Sequence, residues 1–321
     1  MVKESVCTIR SSFTVNMVVS NTDTQTTSMK KPISDSLGTM APSVELPRRA
    51  FLVTTLASGF AHAAGPMLAS TTITTDDKGL LAGEVRIPVA DGSIPAYRAA
   101  PAGRTSLPII LVVQEIFGVH EHIKDVCRRL AKLGYLAIAP ELFARQGNPA
   151  SYQDISSLVT ELVNRVPDAQ VMSDLDATAD WAAKHGGNAS RLGITGFCWG
   201  GRIVWLYAAH RNGLKAGVAW YGRLVGDRNT LRPLQPVDIA DKLKAPVLGL
   251  YAAEDVGIPV TTVNTMQDAL DEGSPAARAS RFILYKKAPH AFFADYRTSY
   301  RILPSRDAWM QAQDWFRQYL G

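Results

Sequence analysis

The sequence has few cysteines, no long hydrophobic run and no concentrated charge, and each shortage excludes a class of protein. Its 321 residues include three cysteines, Cys7, Cys127 and Cys198, and no C-x-x-C pair, so neither a disulfide framework nor a paired redox motif is predicted. The net charge of +5 is spread along the chain without a basic block, which gives nucleic-acid binding no support. No apolar stretch is long enough for a membrane-spanning helix. With 46% hydrophobic residues, the chain is expected to form a globular protein.

Residues 1–65 are predicted to be a polar extension that ends in an export signal. The segment "PRRAFLVTTLASGFAHAAGP" has an arginine pair, Arg48–Arg49, followed by an apolar run that is too short to cross a bilayer. It resembles a twin-arginine leader, which predicts a periplasmic or otherwise exported protein without stable membrane insertion. If the arginine pair is incidental, the protein is cytoplasmic. Since such leaders normally stand at the start of a chain, Met40 is the expected start.

From Gly79 onward, short apolar strands alternate with helical patterns. "EVRIPVADGSIPAYRA" predicts a hairpin around Asp91–Gly92, and "LPIILVVQE" predicts a strand that is buried on both faces. Helical spacing places Cys127 on an apolar stripe, as a small core residue, and a further helix is predicted from Ile155, Leu158, Val159 and Leu162. This alternation predicts an α/β fold with a mostly parallel sheet, helices on both faces, and a single domain over residues 79–321.

The stretch "LGITGFCWGGRI" predicts a strand, a sharp turn and the start of a helix, with Cys198 at the turn. Gly196 to Gly200 fit the pattern G-x-nucleophile-x-G, in which the flanking glycines let strand and helix approach closely. The helix N-terminus favours negative charge, which suits a thiolate and an oxyanion. Cys198 is therefore the candidate nucleophile, and the alternative is an inert structural cysteine.

Two further residues follow in the order that α/β-hydrolases use, namely nucleophile, acid, histidine. "VLGLYAAED" places Asp255 just beyond one strand, and "FILYKKAPHAFF" places His290 just beyond the next. His290 would accept the Cys198 proton, and Asp255 would orient and stabilise the imidazole. Glu254 competes with Asp255 for the role of the acid. This chemistry requires no cofactor and no metal.

The motifs "QEIFGV", "GFCWGG", "AAEDVGIP" and "APHAFFADYR" together resemble the dienelactone hydrolase family over the region from about Gly83 to the C-terminus. The resemblance implies an α/β-hydrolase fold and hydrolysis of a lactone through an acyl-thioester. It also implies that Cys198, Asp255 and His290 form the triad, and that Glu115 contacts the resting thiol and controls its ionisation.

The resemblance further assigns the backbone amides of Ile116 and Trp199 to the oxyanion hole. It departs from the family at substrate recognition. Family members that act on dienelactone bind the substrate carboxylate with an arginine four residues after the histidine, where this sequence has Ala294. Arg297 is the nearest replacement. The reaction class is therefore better defined than the substrate.

Several aromatic residues and histidines near these motifs have two interpretations. Trp220, Tyr221 and Phe292 line either the substrate pocket or the core. The segment "HEH", His120–His122, could suggest a metal site, but residues two apart on a helix do not face each other. A solvated role at a helix start is therefore expected.

The main hypothesis is an exported cysteine-dependent hydrolase of a small-molecule ester or lactone. One alternative is an exported non-hydrolytic binding protein of the same fold, which would have no reason to keep a complete triad. The other is a thiol-redox protein that uses Cys198, although no resolving cysteine is expected nearby. The sequence does not indicate an oligomeric state.

Overall fold

Eight strands form one mixed sheet in the computed structural model, which describes residues 71–321. The predicted leader, its alternative start Met40 and Cys7 therefore lie outside the described residues. The strands run in the order β1-β2-β4-β3-β5-β6-β7-β8. Strand β2 pairs antiparallel with β1 and β4, and every other pairing is parallel. The strands are β1 Leu80–Val89, β2 Gly92–Pro101, β3 Leu107–Val113, β4 Leu136–Pro140, β5 Gly187–Phe197, β6 Leu214–Trp220, β7 Val247–Ala252 and β8 Arg281–Tyr285.

Helices fill most of the connections between the parallel strands. They are α1 Glu121–Lys132, α2 Ile155–Ser157, α3 Asp168–Lys184, α4 Trp199–His210, α5 Val260–Asp271, α6 Pro275–Arg278 and α7 Ile302–Leu320. Short 3₁₀ segments are Pro149–Ser151, Val163–Arg165 and Pro236–Lys242. The predicted helix over 155–162 differs in detail, since α2 continues into a π-helical turn, Leu158–Leu162. Within residues 71–321, no helix is long and apolar enough to cross a membrane.

The sheet separates two apolar cores, and β3 shows how its sequence supplies both. All seven β3 residues are buried. Ile109, Leu111 and Val113 contribute to the core that α3, α4 and α5 cover. Ile110 and Val112 point to the opposite core, which α1 and α7 cover, because successive side chains of a strand alternate between faces. The predicted α/β fold with helices on both faces is confirmed.

Two local predictions are also confirmed. Strands β1 and β2 form the expected hairpin, with Val89 opposite Gly92. Cys127 is fully buried in α1, where burial raises the pKa of its thiol far above the ordinary value. It is therefore a core residue rather than a reactive thiol.

Candidate active site

The carboxyl ends of neighbouring parallel strands carry the predicted catalytic residues. Glu115 follows β3, Cys198 follows β5, Asp255 follows β7 and His290 follows β8. These strands point in the same direction, so their carboxyl ends lie along one edge of the sheet. Glu115, Cys198 and Asp255 are each at most 5% exposed. The fold therefore gathers four reactive side chains at one buried edge.

Cys198 occupies the sharp turn that the sequence predicts. It lies between β5 and α4 with φ 55° and ψ −113°, a conformation that L-residues rarely adopt. A Cβ atom at Gly196 would lie 2.4 Å from the carbonyl oxygen of Gly200, and one at Gly200 would lie 2.5 Å from that of Gln114. Both glycines are required because backbone occupies the space of a side chain. The turn is held in place by the Cys198 N–H, which donates to the Trp220 carbonyl at 3.0 Å.

The half-buried His290 and the buried Asp255 form a hydrogen-bonded pair. Nδ1 of His290 lies 2.6 Å from Oδ2 of Asp255, while Oδ1 accepts the backbone N–H groups of Gly257 at 2.9 Å and Ile258 at 3.2 Å. Glu254 is exposed, so the geometry favours Asp255 as the partner of the imidazole. Burial opposes the imidazolium, but the negative charges of Asp255 and Cys198 and hydrogen bonds to both raise the pKa of His290 to about 10.

Glu115 is a buried carboxylate surrounded by donors. Its Oε2 accepts the Tyr296 hydroxyl at 2.7 Å and lies 3.2 Å from Nε2 of His120. Burial by itself would raise the pKa of Glu115, but the His120 hydrogen bond and the charge of Arg297 hold it well below its usual range. Glu115 is therefore ionised at neutral pH. Its Oε2 is thus bonded by Tyr296 and His120 rather than by the Cys198 thiol that the family resemblance implies.

The expected solvated role of His120 and His122 is wrong. His120 precedes α1 and has extended backbone angles, so the helical spacing argument does not apply to it. The rings of His120 and His122 stack, with their centroids 6.1 Å apart. His120 bonds Glu115, and Nδ1 of the buried His122 lies 3.3 Å from Oδ1 of Asp295. In the part of the chain that the structure describes, no three His, Cys, Asp or Glu residues form a group that could hold a metal.

The backbone segments predicted to form the oxyanion hole are in contact. A Cβ atom at Gly200 would lie 2.5 Å from the carbonyl oxygens of both Val113 and Gln114. The loop after β3 and the first turn of α4 therefore touch directly. Ile116 belongs to that loop, two residues after Gln114, and Trp199 begins α4 directly after Cys198.

The predicted pocket aromatics have different surroundings. Trp220 lies in the core, where its indole N–H donates to Oγ1 of Thr195 at 3.0 Å. Phe292 is fully buried and contacts the ring of Tyr221, with centroids 5.5 Å apart. Tyr221 also packs edge-on against His290, with centroids 5.2 Å apart. Tyr221 therefore places its aromatic ring directly against a residue of the predicted triad.

Arg297 and Ala294 explain how this chain departs from the family pattern. Ala294 is fully buried and supplies no positive charge to the site. The Arg297 guanidinium instead stacks over Phe117, 4.5 Å from the ring centroid, and its charge acts on Glu115. Arg297, which lies three residues after Ala294, thus places a buried positive charge beside the site.

Two residues near the site were missed by the sequence reasoning. The Tyr296 hydroxyl donates to Glu115. The residue lies within the motif "APHAFFADYR", which was the one sequence feature that could have indicated a role at the site. Arg223 comes three residues after β6. Burial lowers the pKa of Arg223, and the charges of Cys198 and Asp255 oppose that effect, so its guanidinium belongs to the surroundings of the triad. Its position beyond a parallel strand was the only sequence signal.

Known proteins match nearly all of the described chain. The model of the dienelactone hydrolase family matches residues 94–320. A protein of Methylorubrum extorquens named as a candidate carboxymethylenebutenolidase is 60% identical over 284 residues, 88% of this chain and 97% of its own. An Escherichia coli protein of the same name is 54% identical over 84% of this chain and 98% of its own. The crystal structure of a candidate dienelactone hydrolase from Klebsiella pneumoniae has a TM-score of 0.73 and 58% identity, and it covers 75% of this chain and 99% of its own.

Proposed function

The chain belongs to the dienelactone hydrolase family, and from this premise we propose that it hydrolyses a carboxylic ester or lactone through an acyl-thioester on Cys198. The observation that carries the proposal is the pairing of His290 with Asp255 at 2.6 Å, with Cys198 hydrogen-bonded to the same imidazole. A nucleophile, a base and an orienting carboxylate in this arrangement are what acyl transfer requires. The proposed chemistry uses side chains and water, without a cofactor.

The proposed reaction has two steps. In the first, Glu115 takes the thiol proton, the Cys198 thiolate attacks the carbonyl carbon, the bond to the leaving-group oxygen breaks, and the His290 imidazolium gives its proton to that oxygen. In the second, water attacks the thioester, loses a proton to His290, and releases the carboxylic acid as the Cys198 thiolate is restored. Negative charge on the carbonyl oxygen is stabilised by the amides of Ile116 and Trp199.

Glu115 is proposed to control the ionisation of the Cys198 thiol. Its carboxylate is ionised and buried at the same sheet edge, where a negative charge can receive the thiol proton once substrate rearranges its hydrogen bonds. Tyr296 and His120 hold Oε2 in the resting arrangement. We infer that these two donors keep the carboxylate in place until substrate enters.

The substrate is proposed as a small ester or lactone. The relatives' name, carboxymethylenebutenolidase, refers to an unsaturated lactone that carries a carboxylate. This chain has the buried Ala294 where the family resemblance implies an arginine, and Arg297 offers the alternative positive charge. A panel of lactones with and without a carboxylate would identify the preferred class, since an Arg297-dependent substrate should lose kcat/KM in Arg297→Gln.

The alternative of a non-hydrolytic binding protein finds less support, because binding alone does not need a hydrogen-bonded triad. The thiol-redox alternative needs a resolving cysteine, and Cys127 is fully buried in α1. An activated ester distinguishes the three. A hydrolase releases one equivalent of alcohol per enzyme in the first turnover and continues to release it. A binding protein releases none, and a redox protein forms sulfenic acid on Cys198 without being acylated.

We also propose that the protein is exported by its twin-arginine-like leader, a segment that lies outside the described residues. Fractionation of cells that express the full chain, followed by N-terminal sequencing of the mature form, tests this. A periplasmic form that begins after "AHA" supports export. A cytoplasmic form that retains Arg48–Arg49 contradicts it.

A further inference from the structure

Tyr221 has a strained backbone at the catalytic edge of the sheet. Its φ is 37°, which is a genuine outlier for a bulky aromatic residue. Among the non-glycine residues of 71–321, positive φ also occurs at Cys198, at Ala291 beside His290, and at Ser106. Of these four positions, one is the proposed nucleophile and two lie directly beside His290. Such strain persists where surrounding structure enforces it, and it is concentrated at functional sites.

Close packing of backbone against backbone holds Tyr221 in this conformation. The Tyr221 N–H donates to the Leu250 carbonyl at 2.9 Å. A Cβ atom at the next residue, Gly222, would lie 2.2 Å from the carbonyl carbon of Gly201. The segment after β6 is thus pressed against the helix that begins at the nucleophile. The position of the Tyr221 side chain is fixed by the same contacts that build the turn at Cys198.

The Tyr221 hydroxyl is buried and has no hydrogen-bond partner among residues 71–321. Two other buried tyrosines, Tyr251 and Tyr207, are satisfied. The Tyr251 hydroxyl donates to the Gly222 carbonyl at 2.8 Å and accepts from Trp205, and the Tyr207 hydroxyl donates to Asp176 at 2.9 Å. An unsatisfied buried polar group destabilises the fold and calls for an explanation. Phenylalanine would fill the same space without that cost.

The surroundings of Tyr221 are those of the reacting groups. Its ring packs edge-on against His290. Burial, with the negative charges of Glu115 and Cys198, raises the pKa of Tyr221 well above its ordinary value. The hydroxyl therefore keeps its proton at physiological pH. It can donate this hydrogen to an oxygen atom of a bound substrate.

We propose that the Tyr221 hydroxyl donates a hydrogen bond to the leaving-group oxygen of the bound ester or lactone. This inference rests on the proposed function, in which the carbonyl oxygen is bound by backbone amides and His290 protonates the leaving-group oxygen. The leaving group must therefore lie beside His290, and the Tyr221 ring packs against that imidazole. The hydroxyl stabilises the negative charge that develops as the carbon–oxygen bond breaks, and substrate binding gives it the partner it lacks.

Tyr221→Phe tests the proposal with two esters that share an acyl group. The leaving group of an alkyl ester is an alkoxide with a localised negative charge, which needs a hydrogen-bond donor. The leaving group of a nitrophenyl ester is a nitrophenolate with a delocalised charge, which needs little stabilisation from a donor. We expect kcat/KM to fall by about 10- to 100-fold for the alkyl ester and by less than about 3-fold for the nitrophenyl ester. Since the lost hydroxyl had no partner, the free energy of unfolding should stay the same or increase.

Tyr251→Phe is the matched control. It removes a buried hydroxyl that is satisfied within the protein, so we expect lower stability and equal kcat/KM ratios for the two esters. Unchanged alkyl-ester hydrolysis in Tyr221→Phe, or equal losses with both esters, would overturn the inference while the proposed function stands. A wild-type protein that hydrolyses neither ester would overturn both.

Discussion

Nδ1 of His290 and Oδ2 of Asp255 lie 2.6 Å apart, in loops that follow two adjacent parallel strands. The second carboxylate oxygen is fixed by two backbone N–H groups, so the acid is held in one orientation. This pair determines the protonation of the imidazole and therefore the charge beside Cys198. It also decides between the two acidic neighbours that the sequence leaves open.

The first prediction concerns the protonation of His290. Asp255→Asn removes the leading charge that favours the imidazolium, while burial still opposes it, so the pKa of His290 should fall well below its raised value of about 10. NMR titration of the His290 ring nitrogens from pH 5 to 10.5 measures this directly. Glu254→Gln, at the exposed neighbour, should leave the titration unchanged. An unaltered His290 titration in Asp255→Asn would contradict the assignment.

The same pKa has a consequence for stability. A raised folded-state pKa stabilises the fold fully below the unfolded value of 6.5, and this contribution is lost as pH rises through about 10. The difference in unfolding free energy between wild type and His290→Gln should therefore shrink from pH 6 to pH 10.5. Urea titrations at both pH values measure the difference. A difference that is constant across this range would mean that His290 is not held as an imidazolium.

Glu115→Gln is the next prediction. The substitution keeps the shape but removes a buried negative charge that faces the site, so we expect kcat/KM to fall by about 10²-fold or more. The pH profile of kcat/KM should change along with it, because Glu115 is proposed to receive the thiol proton. Glu121→Gln, at an exposed carboxylate paired with Arg128, is the control and should be neutral. A wild-type rate and profile in Glu115→Gln would show that the carboxylate has no part in the reaction.

Gly200→Ala should damage both stability and activity. Its Cβ would lie 2.5 Å from two backbone carbonyl oxygens, neither of which can move without opening the turn at Cys198. We expect a loss of about 3 kcal/mol or more in chemical denaturation. Gly226→Ala meets side chains rather than backbone, Arg223 at 3.3 Å and Gln235 at 3.7 Å, and should change the unfolding free energy little. Equal stability of the two variants would refute the close packing at the turn.

Helix α4, which begins directly after Cys198, is anchored by a buried ion pair. Arg202 donates to both carboxylate oxygens of Asp168, at 2.7 and 2.8 Å, and to Oε1 of Gln235. Asp168→Asn leaves the guanidinium without its counter-charge and should cost about 3 kcal/mol. Arg317→Gln, in an exposed pair with Asp314, should cost less than about 0.5 kcal/mol. Similar small losses in both variants would contradict the anchoring role.

The sequence predicted the parts of the fold and site that depend on local patterns. The hairpin of β1 and β2 follows from its turn residues, and β3 follows from a continuous apolar run. The turn at Cys198 was predictable because glycines flank this residue where a strand changes into a helix. Asp255 and His290 were predictable because each follows a strand of the same parallel sheet.

Contacts between distant segments were not predictable. Tyr296 bonds Glu115 across 181 residues of sequence, and neither residue carries a local sign of the other. His122 is buried because Asp295 packs beside α1, which no helical pattern reveals. The missing hydroxyl partner of Tyr221 depends on packing that only the folded chain defines.

The most direct measurement is mass-spectrometric trapping of the acyl-enzyme with an activated ester, quenched within the first turnover. We expect the mass of one acyl group on the peptide that contains Cys198, and we expect no adduct on the buried Cys127. Cys198→Ala should stay folded, form no adduct and lose turnover. Ester hydrolysis that continues in Cys198→Ala, or an acyl group trapped on another residue, would contradict the proposed thioester mechanism.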